Sequence, residues 1–183
     1  FVWHFRAQDL EKISGNRVLF VISLDDAGIN LEYTRMLAAL RRNPQLLEGK
    51  VGGVVVDGAQ EIYTKSIARE LVFSANRAGC AFPGKPLVEA TGSLQNFRIQ
   101  ARNQGVSWEE AYRLAVRDLA ERICAYRMPS SAHPRLLVLH ASHFFTSNTW
   151  TFWTMVRSYM EEMEIQEISL RNGKIYDCAG CPY

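Results

Sequence analysis

Ser142, Thr146, Ser147, Asn148 and Thr149 crowd small hydroxyl and amide side chains into one short stretch. A group of this kind can hold an oxyanion. The stretch follows the apolar run Leu136-Leu137-Val138-Leu139 and precedes the apolar segment that opens at Trp150, so the sequence predicts a buried strand, a turn and a helix in that order. A helix start offers unpaired backbone N–H groups and the positive end of the helix dipole, and hydroxyls gathered there suit a phosphate. Helix capping alone accounts for one or two such residues, not five.

The second chemical feature is Cys178-Ala-Gly-Cys181. Two thiolates at this spacing can share a metal, an iron–sulfur cluster or a disulfide. Cys80 and Cys124 fall near helix ends and read as buried packing thiols. A zinc ribbon wants a second cysteine pair, and a dithiol redox pair wants a following helix. His140 and His143 would point to opposite faces of an extended strand, which argues against a shared metal. Asp25, Asp26, Asp57 and Glu61 fall where strands end, and acids at such places commonly cap the next turn. Gly79 to Lys85 matches the opening of a nucleotide phosphate loop, but Pro86 stands where Ser or Thr would meet magnesium, and the helix-then-strand context is reversed. No G-x-S-x-G or Ser-His-Asp order supports a hydrolase.

The elements that would position these residues alternate along the chain. Residues 1–13 suggest a short amphipathic helix. Strands are expected at Arg17–Leu24, Val51–Val56, Pro86–Ala90, Arg135–Leu139 and Ile165–Leu170. Helices are expected at Leu31–Arg42 behind Asn30, at Thr64–Arg77 before Gly79, at Ser107–Ala125 behind a Ser107/Glu110 capping box, and at Trp150 to about Met163. Gly52 and Gly53 permit close packing on the second strand. Alternation of this kind predicts an α/β fold with three layers, a doubly wound parallel five-stranded sheet between helices. Ligands of such sheets sit at the carboxyl ends of the strands, which directs attention to residues 25–30, 57–64, 91–96 and 142–149.

The order Ala141-Ser142, then Thr146-Ser147-Asn148-Thr149, resembles the FMN-phosphate loop of the flavodoxin-like NAD(P)H-dependent FMN reductases and iron–sulfur flavoproteins, in which a small residue and Ser end the first strand and Ser-Asn-Thr opens the first helix. His143, Phe144 and Phe145 depart from that pattern, where short, polar or basic residues are usual; aromatic side chains there could fill the phosphate cavity, which supports the alternative of a non-catalytic flavodoxin-like module or half-domain that docks on a partner and has lost cofactor binding. The resemblance implies a flavodoxin-like fold, FMN as cofactor, NAD(P)H as co-substrate and a small-molecule electron acceptor. It places Ser142, Thr146, Ser147, Asn148 and Thr149 on the phosphate and Gly58, Gly92 and Ser93 under or beside the ring. Thr64-Lys65-Ser66 opens a helix near that site, where its role is structural capping unless Lys65 meets the flavin or a nicotinamide phosphate. Iron–sulfur flavoproteins carry a compact cysteine motif after the second strand, which makes Cys178 and Cys181 candidate metal ligands. That family needs four ligands, and two are present.

A flavodoxin-like chain begins with its phosphate-loop strand, whereas here that strand is the fourth of five. Residues 1–127 resemble the C-terminal half of the fold and 134–183 its N-terminal half. Two explanations stand: a single circularly permuted domain spanning 1–183, or a half-domain followed by the opening of a second, truncated domain. Permutation places the Arg135 strand between the Ile165 and Arg17 strands.

Composition bounds the rest. The chain has 183 residues, 48% hydrophobic and 22% charged, as in a globular protein of one domain. A net charge of +2 without basic clusters gives no case for nucleic acid. No apolar run has the length of a membrane span. Residues 1–14 lack a secretory-leader pattern, and the missing initial Met fits a trimmed piece of a longer chain. Sparse, uneven cysteines point to the reducing cytoplasm. The aromatic segment from Trp150 to Met160 is apolar around most of its circumference, which implies deep burial or a homodimer interface.

Overall fold

A computed structural model describes residues 6–128, 135–143 and 145–173. The chain divides into two compact units, 1–128 and 129–183. In both units strands are parallel and helices connect them, so the protein is α/β.

In the first unit a 3-10 helix, Ala7–Lys12, stands within the stretch expected to form an amphipathic helix, whose first five residues lie outside the described residues. Strand β1 (Arg17–Leu24) leads to helix α1 (Leu31–Arg42), which Asn30 caps by accepting a hydrogen bond from the Tyr33 amide at 2.9 Å. Strand β2 (Val51–Gly58) lies between β1 and β3 (Leu87–Ala90), all in parallel register. Being central, β2 is buried along Val51–Val56. Its residues alternate between two cores. Val54 and Val56 join Phe20 and Ile22 of β1 beneath α1 and α2 (Thr64–Arg77). Val51 and Val55 join Val88 and Ala90 of β3 beneath α3 (Arg98–Gln104) and α4 (Trp108–Ala125). A side chain at Gly52 would collide with Cys80 and Phe82, and one at Gly53 with Ile123 and Leu119, so both glycines let the layers close. The Ser107 side chain caps α4 as expected, accepting from the Glu110 amide.

In the second unit strand β4 (Arg135–His140) runs into helix α5 (Asn148–Arg157), and the chain returns to pair β5 (Glu164–Ser169) in parallel with β4. Leu136, Val138 and His140 share the α5 side, where His140 and Trp150 stack at a centroid distance of 4.3 Å. Trp153 Nε1 donates to Glu167 of β5 at 2.6 Å, and Arg157 pairs with the same carboxylate at 3.1 Å.

Several expectations are corrected. Among the described residues the strands form a three-stranded sheet, in which β1 pairs with β2 and β2 with β3, and a two-stranded sheet of β4 and β5. The β4 strand is not covered on both faces, since Leu137 and Leu139 are 54% and 58% exposed. Helix α5 ends at Arg157 rather than near Met163, because the turns at 158–163 return the chain to β5. It buries no residue completely, and Phe152, Met155 and Tyr159 are exposed. A 3-10 turn and α3 occupy 95–104, where no element was expected.

Candidate functional site

The carboxyl ends of the strands carry a candidate site in each unit. In the second, β4 stops at His140 and the chain turns through 141–147 into α5, the order a phosphate loop requires. The Ser147 amide donates to the His143 carbonyl at 3.2 Å, which closes the turn. Ser147 Oγ accepts from the Trp150 amide at 3.2 Å, so this side chain is the helix cap. Ser142 is half-buried, and Thr146, Asn148 and Thr149 are exposed at the mouth of the helix. The structure therefore brings the five expected residues together around one helix start, but assigns Ser147 a structural bond. Phe145, 91% exposed, projects from the same turn rather than filling it. Cys178, Cys181 and Phe144 lie outside the described residues. Among the described residues no group of three His, Cys, Asp or Glu side chains is placed to hold a metal.

In the first unit the loop 59–63, after β2, joins its neighbours on both sides. Toward β3, the Gly92 amide donates to the Gln60 carbonyl at 3.1 Å, and the Ser93 amide donates to Glu61 Oε1 at 2.7 Å. The Ser93 hydroxyl, the Ser93 amide and the Thr91 hydroxyl together hold the Glu61 carboxyl below its ordinary range. A side chain at Gly92 would run into the Ala59 carbonyl, and one at Gly58 would meet Thr64. The open sides of the two glycines expected beneath a flavin ring are thus taken by the protein's own backbone and α2. Lys65 lies 3.8 Å from Glu89.

Toward β1, the Tyr63 ring rests against Gly28, where an added Cβ would collide with the ring. Tyr63 itself has φ 77°, the left-handed region that a bulky residue rarely enters, and Gly28 has φ 73°. On the α4 side of the sheet, Ser23 Oγ donates to Asp57 Oδ1 at 2.5 Å. Burial and then the Asp57 charge raise the Tyr112 hydroxyl pKa above its ordinary value. Asp25 serves its own turn, accepting from the Ala27 and Ile29 amides at 2.9 and 2.8 Å.

Cys80 is buried, its thiol pushed up to about 12 by desolvation, whereas Cys124 is exposed and not the packing thiol expected. Sequence reasoning missed the roles of Glu61 and Tyr63. The readable signal was an acid and an aromatic between a strand ending in Asp57-Gly58 and a helix start, opposite glycines at 28 and 92.

No helix among the described residues is long and apolar enough to cross a membrane. No family model, curated protein or solved structure matches the chain.

Proposed function

We propose that the protein is a cytoplasmic FMN-binding flavoprotein and, by the resemblance of its 141–149 segment, an NAD(P)H-dependent reductase of a flavin, quinone or other small acceptor. The observation that carries this reading is the β4–turn–α5 unit, in which Ser147 caps the helix while Ser142, Thr146, Asn148 and Thr149 stand at its start. Ser142, Thr146 and Thr149 would donate hydroxyl hydrogen bonds to a phosphate, and the first α5 amides would add theirs along the favourable end of the dipole. The flavin supplies the hydride and electron chemistry when bound; the chain holds it and tunes its potential. Cys178 and Cys181 remain candidate ligands for an iron–sulfur cluster, which iron analysis would test.

The fold that accompanies this function is flavodoxin-like, a doubly wound parallel sheet in permuted order, and its support is that in both units parallel strands are joined through helices.

An FMN titration read by flavin fluorescence tests the cofactor. Saturable quenching is expected in the wild type, weakened at least tenfold by Asn148→Ala with Thr149→Ala and weaker for riboflavin, which lacks the phosphate. Absence of binding would sink the reading. One observation favours a second reading, a docking module without cofactor: Phe152 and Met155 are exposed on α5, and Tyr159 is exposed in the turn just after it. A colourless protein that ignores FMN and forms a dimer in sedimentation would support it.

A further inference from the structure

We infer a second binding site in the first unit, a cleft between the last turns of α1 and α2 that takes the carboxylate of a small organic acid with an apolar body. None of its residues takes part in the function proposed above.

Leu40, Arg41 and Pro44 line the cleft from the end of α1 and the turn after it, and Phe73, Ser74 and Arg77 line it from α2. Helices that link parallel strands run back against them, so these last turns lie at the amino-terminal edge of the sheet, away from the loops that follow its strands. The buried polar group here is unusual. Ser74 is 2% exposed, yet its Oγ has no hydrogen-bond partner, not even the carbonyl four residues back that a helical serine commonly takes. Ala68 and Ala75, buried on the same helix, show what packing alone selects. Alanine at 74 would close the layer without stranding a hydroxyl.

The charges beside that hydroxyl point to an anion. Arg77 is exposed and makes no hydrogen bond or ion pair among the described residues. Arg41 pairs with Glu70 at 2.5 Å through one nitrogen, and its guanidinium carries further N–H donors. The helix dipole favours cations in a last turn, which accounts for their sign but not for an unpartnered hydroxyl next to them. Two guanidiniums and an O–H are all donors, a set complementary to the oxygens of a carboxylate. The walls add a second requirement. Phe73 is 64% exposed, and with Pro44 and Leu40 it presents apolar surface that a bare inorganic anion would leave unused. The cavity measures about 20 Å³, room for one oxygen-sized group. It therefore encloses the tip of a carboxylate, while the apolar body lies along Phe73 and Pro44 at the surface.

The test titrates the full chain with benzoate and follows the backbone amide resonances. Those of Phe73, Ser74 and Arg77 should move saturably at millimolar benzoate. Arg77→Gln, at an exposed position, should fold as the wild type does and weaken benzoate about tenfold, the effect of losing one charge-assisted pair. Ser74→Ala should weaken it about fivefold, while its melting temperature holds or rises because no stranded hydroxyl is left. The inference is overturned if the wild type shows no saturable shift at these amides, or if either variant binds benzoate as the wild type does; unchanged binding in Ser74→Ala would assign the hydroxyl to an ordered water instead. It is also overturned if inorganic phosphate or benzyl alcohol binds as tightly as benzoate, since the first lacks the apolar body and the second the charge. Arg77→Gln should leave the quenching of FMN fluorescence unchanged, so failure of this site and failure of the cofactor reading are separate results.

Discussion

Two parallel strands with nearly interchangeable sequences meet different fates in the two units. RVLFVISL and RLLVLH are both continuous apolar runs behind an arginine. In β1 alternate residues Val18, Phe20, Ile22 and Leu24 are buried beneath α1 and α2. In β4 none is, and the residues classed as buried throughout the described chain all belong to the first unit. Apolarity makes a strand available for burial, but layers on its faces decide whether burial happens. The first unit has helices on both sides of its sheet, and among the described residues of the second α5 lies on one side.

The sharpest way to break this contrast is by truncating leucines. Leu71→Ala or Leu119→Ala, at fully buried positions, should each cost about 3 kcal/mol through lost contacts and a residual cavity. Leu137→Ala or Leu139→Ala should cost under about 1 kcal/mol, as for a side chain still largely in water. Equilibrium denaturation would measure both. Equal costs would mean that the open face of β4 is covered in solution.

A smaller effect is expected at Gly28→Ala, which forces a Cβ into the Tyr63 ring at a positive φ; about 1 to 2 kcal/mol is expected from the same denaturation curves. The two units can also be compared through one shared device. Asn30 and Ser147 each accept from a backbone amide three residues on, and alanine at either should cost about 1 kcal/mol of local helix stability. Circular dichroism and amide exchange should show Asn30→Ala weakening the whole first unit, while Ser147→Ala frays α5 alone.

The smallest effect is set by pH. Hydrogen bonds from Ser93 and Thr91 lower the pKa of Glu61 in the folded protein. Its contribution is therefore present above the ordinary glutamate value and is lost as pH falls through the lowered one. The Ser93 amide resonance should move over that acid range and stay put in Glu61→Gln. Movement in the variant as well would assign the titration elsewhere.

The elements with explicit punctuation were legible in the sequence. Asn30 and Asn43 bracket α1, Gly79 follows α2, and Ser107 opens α4. The segment 95–104 was not, because Phe97 precedes α3 without a side-chain cap, and within the segment only Phe97 and Ala101 are buried, too few to set a helical period. The apolar residues run on through Met160, but α5 ends at Arg157 because the need to reach β5 overrides helix propensity. The turn at 141–147 was legible because its chemistry is local. The Glu61 and Tyr63 contacts were not, since each depends on a loop contributed by another strand: Ser93 follows β3, and Gly28 follows β1.

Cys80 gives the first unit an internal clock. Held under the sheet against Gly52, with its thiol pushed up to about 12, it offers almost no thiolate to an alkylating reagent, whereas Cys124 lies open to one. Modification of Cys80 must wait until α2 and β2 part. Its rate in native buffer would therefore count the openings of that layer, while Cys124, labelled at once, marks the start of the count.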